Sequence, residues 1–137
     1  MVNVAIVEDE DAAAAILSNC LDKYASAKRG GVEFSVCRYH DAVSFFENYR
    51  SRFDIVFMDI QLPDLDGMEA AKKLRRLDSS VTLIFVTNMA NFAVRGYEVD
   101  ALDFIVKPVE YFSFALKLDR ALERLKSTAE QEIFAKT

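Results

Sequence analysis

Cysteine, proline and glycine are scarce in this sequence, positive charge is in the minority, and no hydrophobic run is long. The two cysteines, Cys20 and Cys37, are too few for a disulfide framework, and cysteine also serves as a small core hydrophobe. A reduced, cytoplasmic setting is the expectation. No apolar run approaches the ~20 residues of a membrane helix. Val4 to Val7 is too short for the apolar region of a signal peptide, and acids follow it directly, so no membrane association is expected. Lys and Arg number 17 against 22 Asp and Glu, a net charge of −5. A nucleic-acid-binding module normally carries a basic face or stripe, so direct nucleic-acid binding by this segment is not expected. What remains is one ordinary domain: 137 residues, 52% of them hydrophobic, can bury a core without staples. Residues 1–125 carry the pattern, and the polar, weakly helical stretch 126–137 reads as a C-terminal extension or the start of a linker.

Short apolar runs alternate with helical patterns. Val2 to Val7, Val32 to Cys37, Phe53 to Met58, Val81 to Val86 and Leu102 to Val106 are each of strand length. Between and after them apolar residues recur at three- and four-residue steps. These are Ile16, Leu17, Cys20, Leu21 and Tyr24, then Val43, Phe46 and Tyr49, then Met68, Ala71 and Leu74, and finally Phe114, Leu118, Ala121, Leu122 and Leu125. The reading is β-α repeated five times, which requires a parallel sheet with right-handed crossovers and helices on both faces. The runs 55–58 and 83–86 are apolar throughout, as in strands buried on both faces, whereas 32–36 and 102–104 alternate, as at a sheet margin. An α/β doubly wound, flavodoxin-like (βα)5 fold of strand order 2-1-3-4-5 satisfies these constraints.

In such sheets ligands sit outside the carboxyl ends of the strands, where the strand order reverses. Strand 1 runs into Glu8-Asp9, strand 3 into Asp59, strand 4 into Thr87 and strand 5 into Lys107-Pro108, while strand 2 ends in Tyr39-His40. Three carboxylates at one rim repel one another and raise at least one pKa unless a cation joins them. Mg²⁺ takes oxygen ligands from one or two carboxylates plus waters and phosphate oxygens, which matches Asp9, Asp59 and a water-relayed Glu8; without His or Cys nearby, zinc does not fit. Lys107 and Thr87 are the group types that stabilise a phosphoryl group in flight, and Asp59 is the natural nucleophile.

Val7-Glu8-Asp9, Met58-Asp59 followed by Pro63, Asp66 and Gly67, Val86-Thr87, and Val106-Lys107-Pro108 together resemble the signature of response-regulator receiver domains, from Val4 to about Leu125. The resemblance implies that Asp59 accepts a phosphoryl group from a phosphohistidine of a sensor histidine kinase. It implies that Asp9, Asp59 and the backbone carbonyl of Gln61 hold Mg²⁺, with Glu8 reaching it through water. Lys107 then pairs with the phosphate and Asp59, Thr87 turns toward the phosphoryl oxygens, Lys107-Pro108 is cis, and Phe104 takes the place of the switch aromatic. Thr87-Asn88, Ala93, Gly96, Tyr97-Glu98-Val99, Ala101 and Asp103-Phe104-Ile105 are similar to the receivers of LytTR-type transcription regulators, which usually carry a C-terminal DNA-binding domain. Phe104 lacks the hydroxyl of the commoner Tyr, and Asn88 is bulkier than the small residue often found there. Output is expected through the strand 4 to helix 5 face, where Arg95, Glu98, Asp100, Asp103, Lys117 and Arg120 offer mixed charges for a homodimer or another partner.

Simpler readings apply elsewhere. Glu10 and Asp11 complement the dipole of helix 1, Asp66 with Glu69 makes a capping box, Asp41 caps helix 2, and His40 decorates a loop. An aspartate-nucleophile phosphatase wants a second acid two residues after the nucleophile, where Gln61 stands. A flavin module wants a phosphate loop after strand 1, where acids stand. A stand-alone receiver acting by protein–protein interaction is the remaining alternative.

Overall fold

The computed structural model describes residues 1–27, 31–47, 49, 52–88 and 98–135, with side chains as far as residue 127. In chain order the elements are β1 (Val2–Val7), α1 (Asp11–Ala27), β2 (Phe34–Tyr39), α2 (Ala42–Glu47), β3 (Ile55–Met58), α3 (Gly67–Leu77), β4 (Thr82–Thr87), β5 (Asp103–Val106) and α4 (Tyr111–Ala135). The helix expected between strands 4 and 5 lies outside the described residues, so the helix expected as the fifth is α4 here. All strand pairs are parallel and the order is β2-β1-β3-β4-β5, as the sequence predicts.

Alternation along the strands sorts side chains into two layers. Ala5, Val7, Val56, Met58, Leu83 and Phe85 face α2 and α3, where Phe45, Met68, Ala71 and Leu74 meet them. Val4, Ile6, Ile55, Phe57, Ile84 and Val86 face α1 and α4, where Leu17, Leu21, Phe114 and Leu118 meet them. β3 and β4 are buried along their whole length and the marginal strands β2 and β5 are not. β2 lies two residues later than expected because it pairs with β1 from Val2↔Phe34 to Val7↔Tyr39, which ends both strands at the same rim.

Two helical faces differ from expectation. Ile16 is 44% exposed; the buried stripe is Ala14, Leu17, Cys20, Leu21 and Tyr24, and Ile16 falls just over a quarter turn from its centre. In α2, Val43 is 56% exposed while Ala42 and Phe45 are buried. The orientation of this short helix is set at its start: Asp41 accepts from the Ser44 N–H at 2.8 Å, and Asp64 accepts from the N–H groups of Ala42 and Val43 at 3.1 and 2.9 Å. That turns Phe45 into a ring cluster with Tyr39, Phe46, Tyr49 and Phe53. Asp66 caps α3 through the Met68 N–H at 2.7 Å, and Glu69 pairs with Lys72 at 3.5 Å. The cysteines are free, Cys20 buried and Cys37 exposed. α4 continues as helix past the expected limit at Leu125. No helix among the described residues is long and apolar enough to cross a membrane.

Candidate functional site

The strand ends deliver their polar residues to one rim. β1 and β3 are adjacent, with Val7 opposite Met58, so the residues that follow, Glu8 and Asp59, emerge side by side. The Asp59 N–H donates to the Val7 carbonyl at 3.1 Å, which fixes that placement. Glu8, Asp9 and Asp59 each present a carboxylate oxygen within 4.8 Å of the others. Glu8 and Asp59 are buried, 1% and 6% exposed, whereas Asp9 is exposed.

Lys107 arrives from the end of β5. Its backbone N–H donates to the Thr87 carbonyl at 2.9 Å, and its ammonium donates to Glu8 and, at 3.0 Å, to Asp59. Lys107-Pro108 is cis, as the resemblance implies. The other Asp59 oxygen accepts from the Gln61 N–H at 3.1 Å. Thr87 is fully buried at the end of β4. Phe104 stands opposite Phe85 on β5, half-buried against the α2–α3 layer.

Burial pushes the Glu8 carboxyl above its ordinary range and the nearby Asp59 charge adds to this, against hydrogen bonds from Lys107 and the Glu10 N–H. For Lys107 burial disfavours the ammonium, but its bonds to Glu8 and Asp59 outweigh burial and raise its pKa. Three carboxylates and one ammonium leave a net charge of two negatives. An all-oxygen donor set with that residual charge fits a hard divalent cation.

Several residues were anticipated in other roles or not at all. Gly67 enters the sequence motif only as a residue following Asp59, yet its N–H donates to the Ile60 carbonyl at 2.7 Å and its Cα packs on the backbone of Asp59. Asp64 ties the segment after Asp59 to the start of α2; an acid next to Pro63 in a loop was its only sequence signal. Arg38, from β2, donates to the Glu8 carbonyl at 2.9 Å and to Asp11 at 2.8 Å. His40 stands apart from the acid cluster, 3.9 Å from Asp11. Of the charges expected to meet a partner, Asp103 pairs with Arg120 at 2.6 Å and with Lys117 at 3.6 Å, and Glu98 with Lys72 at 3.8 Å. Arg95 lies outside the described residues.

The site is thus a buried aspartate, two neighbouring acids and a lysine at the carboxyl rim of a parallel five-stranded sheet. Residues 4–117 match the response regulator receiver domain family, and the chain belongs to it. Among curated proteins, the sensory transduction protein LytT of Bacillus cereus is 33% identical over 132 residues, covering 96% of this chain and 49% of that protein. The sensory transduction protein LytR of Staphylococcus saprophyticus is 35% identical over 78 residues, covering 57% of this chain and 31% of that protein. This chain therefore spans about half the length of LytT. The non-phosphorylated HemR receiver domain of Leptospira biflexa superposes with a TM-score of 0.75 at 25% identity, covering 88% of this chain and 94% of that one. The response regulatory domain of MrkE from Klebsiella pneumoniae gives 0.77 at 24% identity, covering 91% and 98%. Receiver domains of response regulators take part in two-component signal transduction with sensor kinases.

Proposed function

We propose that Asp59 is the phosphoacceptor of this domain and that it receives the phosphoryl group from a phosphohistidine of a sensor histidine kinase. The observation that carries this reading is the convergence of Glu8, Asp9 and Asp59 on one point with Lys107 bridging two of them. An oxygen of Asp59 forms the new bond to phosphorus as the phosphorus–nitrogen bond of the donor breaks, and the bond's electron pair stays with the imidazole, which is protonated from water. Gln61 holds one oxygen of Asp59 and Lys107 the other, so the carboxylate is oriented before the donor arrives. Lys107 is also placed to stabilise the negative charge of the transferred group.

Asp9, Asp59 and the backbone carbonyl of Gln61 would hold Mg²⁺, with Glu8 reaching it through water. When bound, the ion supplies the charge neutralisation that lets a carboxylate approach a phosphoryl group. Thr87 and Phe104 form the switch that senses the product. The receiver occupies residues 1–125, with 126–137 as extension or start of a linker, and works in the cytoplasm. Control of transcription runs through a DNA-binding domain outside this segment, a homodimer uses the strand 4 to helix 5 face, and this segment itself makes no nucleic-acid contact.

The test is incubation with a small-molecule phosphodonor and MgCl₂. An acid-stable, base-labile adduct is expected, abolished by Asp59→Asn and by a metal chelator. An adduct of undiminished yield in Asp59→Asn overturns the reading.

A further inference from the structure

We propose that Arg38 is a positioning residue for the metal-binding loop, acting through the backbone of Glu8. The proposal rests on the reading of Asp9 and Asp59 as Mg²⁺ ligands and assigns this site a supporting residue from the sheet margin.

Arg38 stands on β2 opposite Ile6 of β1, two residues before Glu8. Its side chain runs along the sheet past the end of β1. There its Nε–H donates to the Glu8 carbonyl at 2.9 Å, and its Nη1–H donates to Asp11 at 2.8 Å. The Glu8 N–H is held from the same strand, donating to the Tyr39 carbonyl at 3.0 Å. β2 therefore grips both backbone polar groups of Glu8, and with its carbonyl fixed the peptide plane leading into Asp9 is fixed as well. Asp9 is exposed, so its aim toward Asp59 is set by this backbone and not by packing. The grip on Asp11 closes the loop at its far end, where α1 begins.

Arg38 is not fully used by these bonds: its Nη2 is buried without a hydrogen-bond partner among the described residues. Burying part of a guanidinium with one nitrogen unsatisfied costs stability. A residue serving stability alone would be better replaced by an apolar side chain at a sheet margin.

Charge and positioning predict opposite signs, which makes the role testable. Coulomb's law alone says that removing a cation near a divalent-ion site strengthens ion binding. Loss of the grip on the Glu8 carbonyl weakens it, because groups that orient metal ligands typically contribute about 10–100-fold in affinity.

The experiment is calorimetric titration of the metal-free chain with MgCl₂, for wild type, Arg38→Met, Arg38→Lys and Asp11→Asn. It is paired with the rate of adduct formation from a small phosphodonor at increasing Mg²⁺. Arg38→Met is expected to bind Mg²⁺ about tenfold more weakly, with the rate at saturating Mg²⁺ within about twofold of wild type. Arg38→Lys, which keeps the charge but not the two-pronged geometry, is expected to fall about threefold. Asp11→Asn keeps the Glu8 bond and is expected to stay within about twofold of wild type. Unchanged or tighter binding in Arg38→Met overturns the proposal; should that variant fail to fold, unchanged binding in Arg38→Lys overturns it. A wild-type chain that binds no Mg²⁺ at millimolar concentration overturns the underlying reading instead, and the proposal with it.

Discussion

Gly67 and Asp59 touch through their backbones: a Cβ on Gly67 would lie 2.2 Å from the Asp59 carbonyl oxygen and 2.5 Å from the Ile60 Cα. The first turn of α3 is seated directly on the segment that carries Asp59. Gly67→Ala must push the two apart, at a cost of about 1–3 kcal/mol. It is expected to slow adduct formation by up to about 100-fold through misplacement of Asp59. Urea unfolding and phosphodonor kinetics measure the two effects separately.

Lys107→Ala leaves Glu8 and Asp59 facing each other without their shared cation. The metal-free variant is expected to lose about 3 kcal/mol, the cost of leaving buried charge unpaired. On the proposed reading, Mg²⁺ held by the folded chain alone should recover part of it. Adduct formation should fall about 100-fold even at saturating Mg²⁺, because a donor to the transferring oxygens is gone. Recovery of the full rate by Mg²⁺ would show that Lys107 serves only to balance charge.

Asp78, at the end of α3, contributes to the expected acid sensitivity. Burial raises its pKa, but hydrogen bonds from Tyr49, Ser80 and Val81 outweigh that and leave it below the ordinary 3.8. A carboxyl lowered on folding contributes stability that is present above its unfolded value and lost as pH falls through the folded one. Asp78→Ala should therefore be less stable than wild type by about 1–2 kcal/mol at pH 7. The gap should narrow as the pH is brought below 3.8. Denaturant midpoints across that range test it.

Arg75 ties α3 to the turn before β5, donating to the carbonyls of Val99 at 2.6 Å, Val81 at 2.6 Å and Asp100 at 2.9 Å. Asp100 has a positive φ of 52°, so this turn is held in a conformation that needs support. Arg75→Met is expected to destabilise the chain by about 3 kcal/mol, since charged hydrogen bonds to several carbonyls are lost. The thermal midpoint should fall while Mg²⁺ affinity holds, because Arg75 touches no acid of the site.

The sheet and the rim were legible because both follow from short-range pattern. Apolar runs locate β3 and β4, and the polar residue after each run marks the strand end that faces the ligand side. What was not legible depends on contacts between distant segments. Periodicity put Val43 on the inner face of α2; two acids, Asp41 beside it and Asp64 from the next loop, turn Phe45 inward instead. Arg38 drew no reading of its own, since the bond that matters at the site goes to a backbone carbonyl that no side-chain pattern reveals. Gly67 was visible as a glycine, but its close approach to Asp59 is a property of the folded chain.

On the proposed reading Asp59, and no other acid of the cluster, carries the phosphoryl group. Borohydride reduces an aspartyl phosphate to homoserine, so phosphorylated protein treated in this way and mapped by mass spectrometry reports the acceptor directly. Conversion at residue 59, dependent on Mg²⁺ and phosphodonor, is the predicted result. Conversion at Asp9, or none at residue 59 in protein shown to be phosphorylated, would contradict the account.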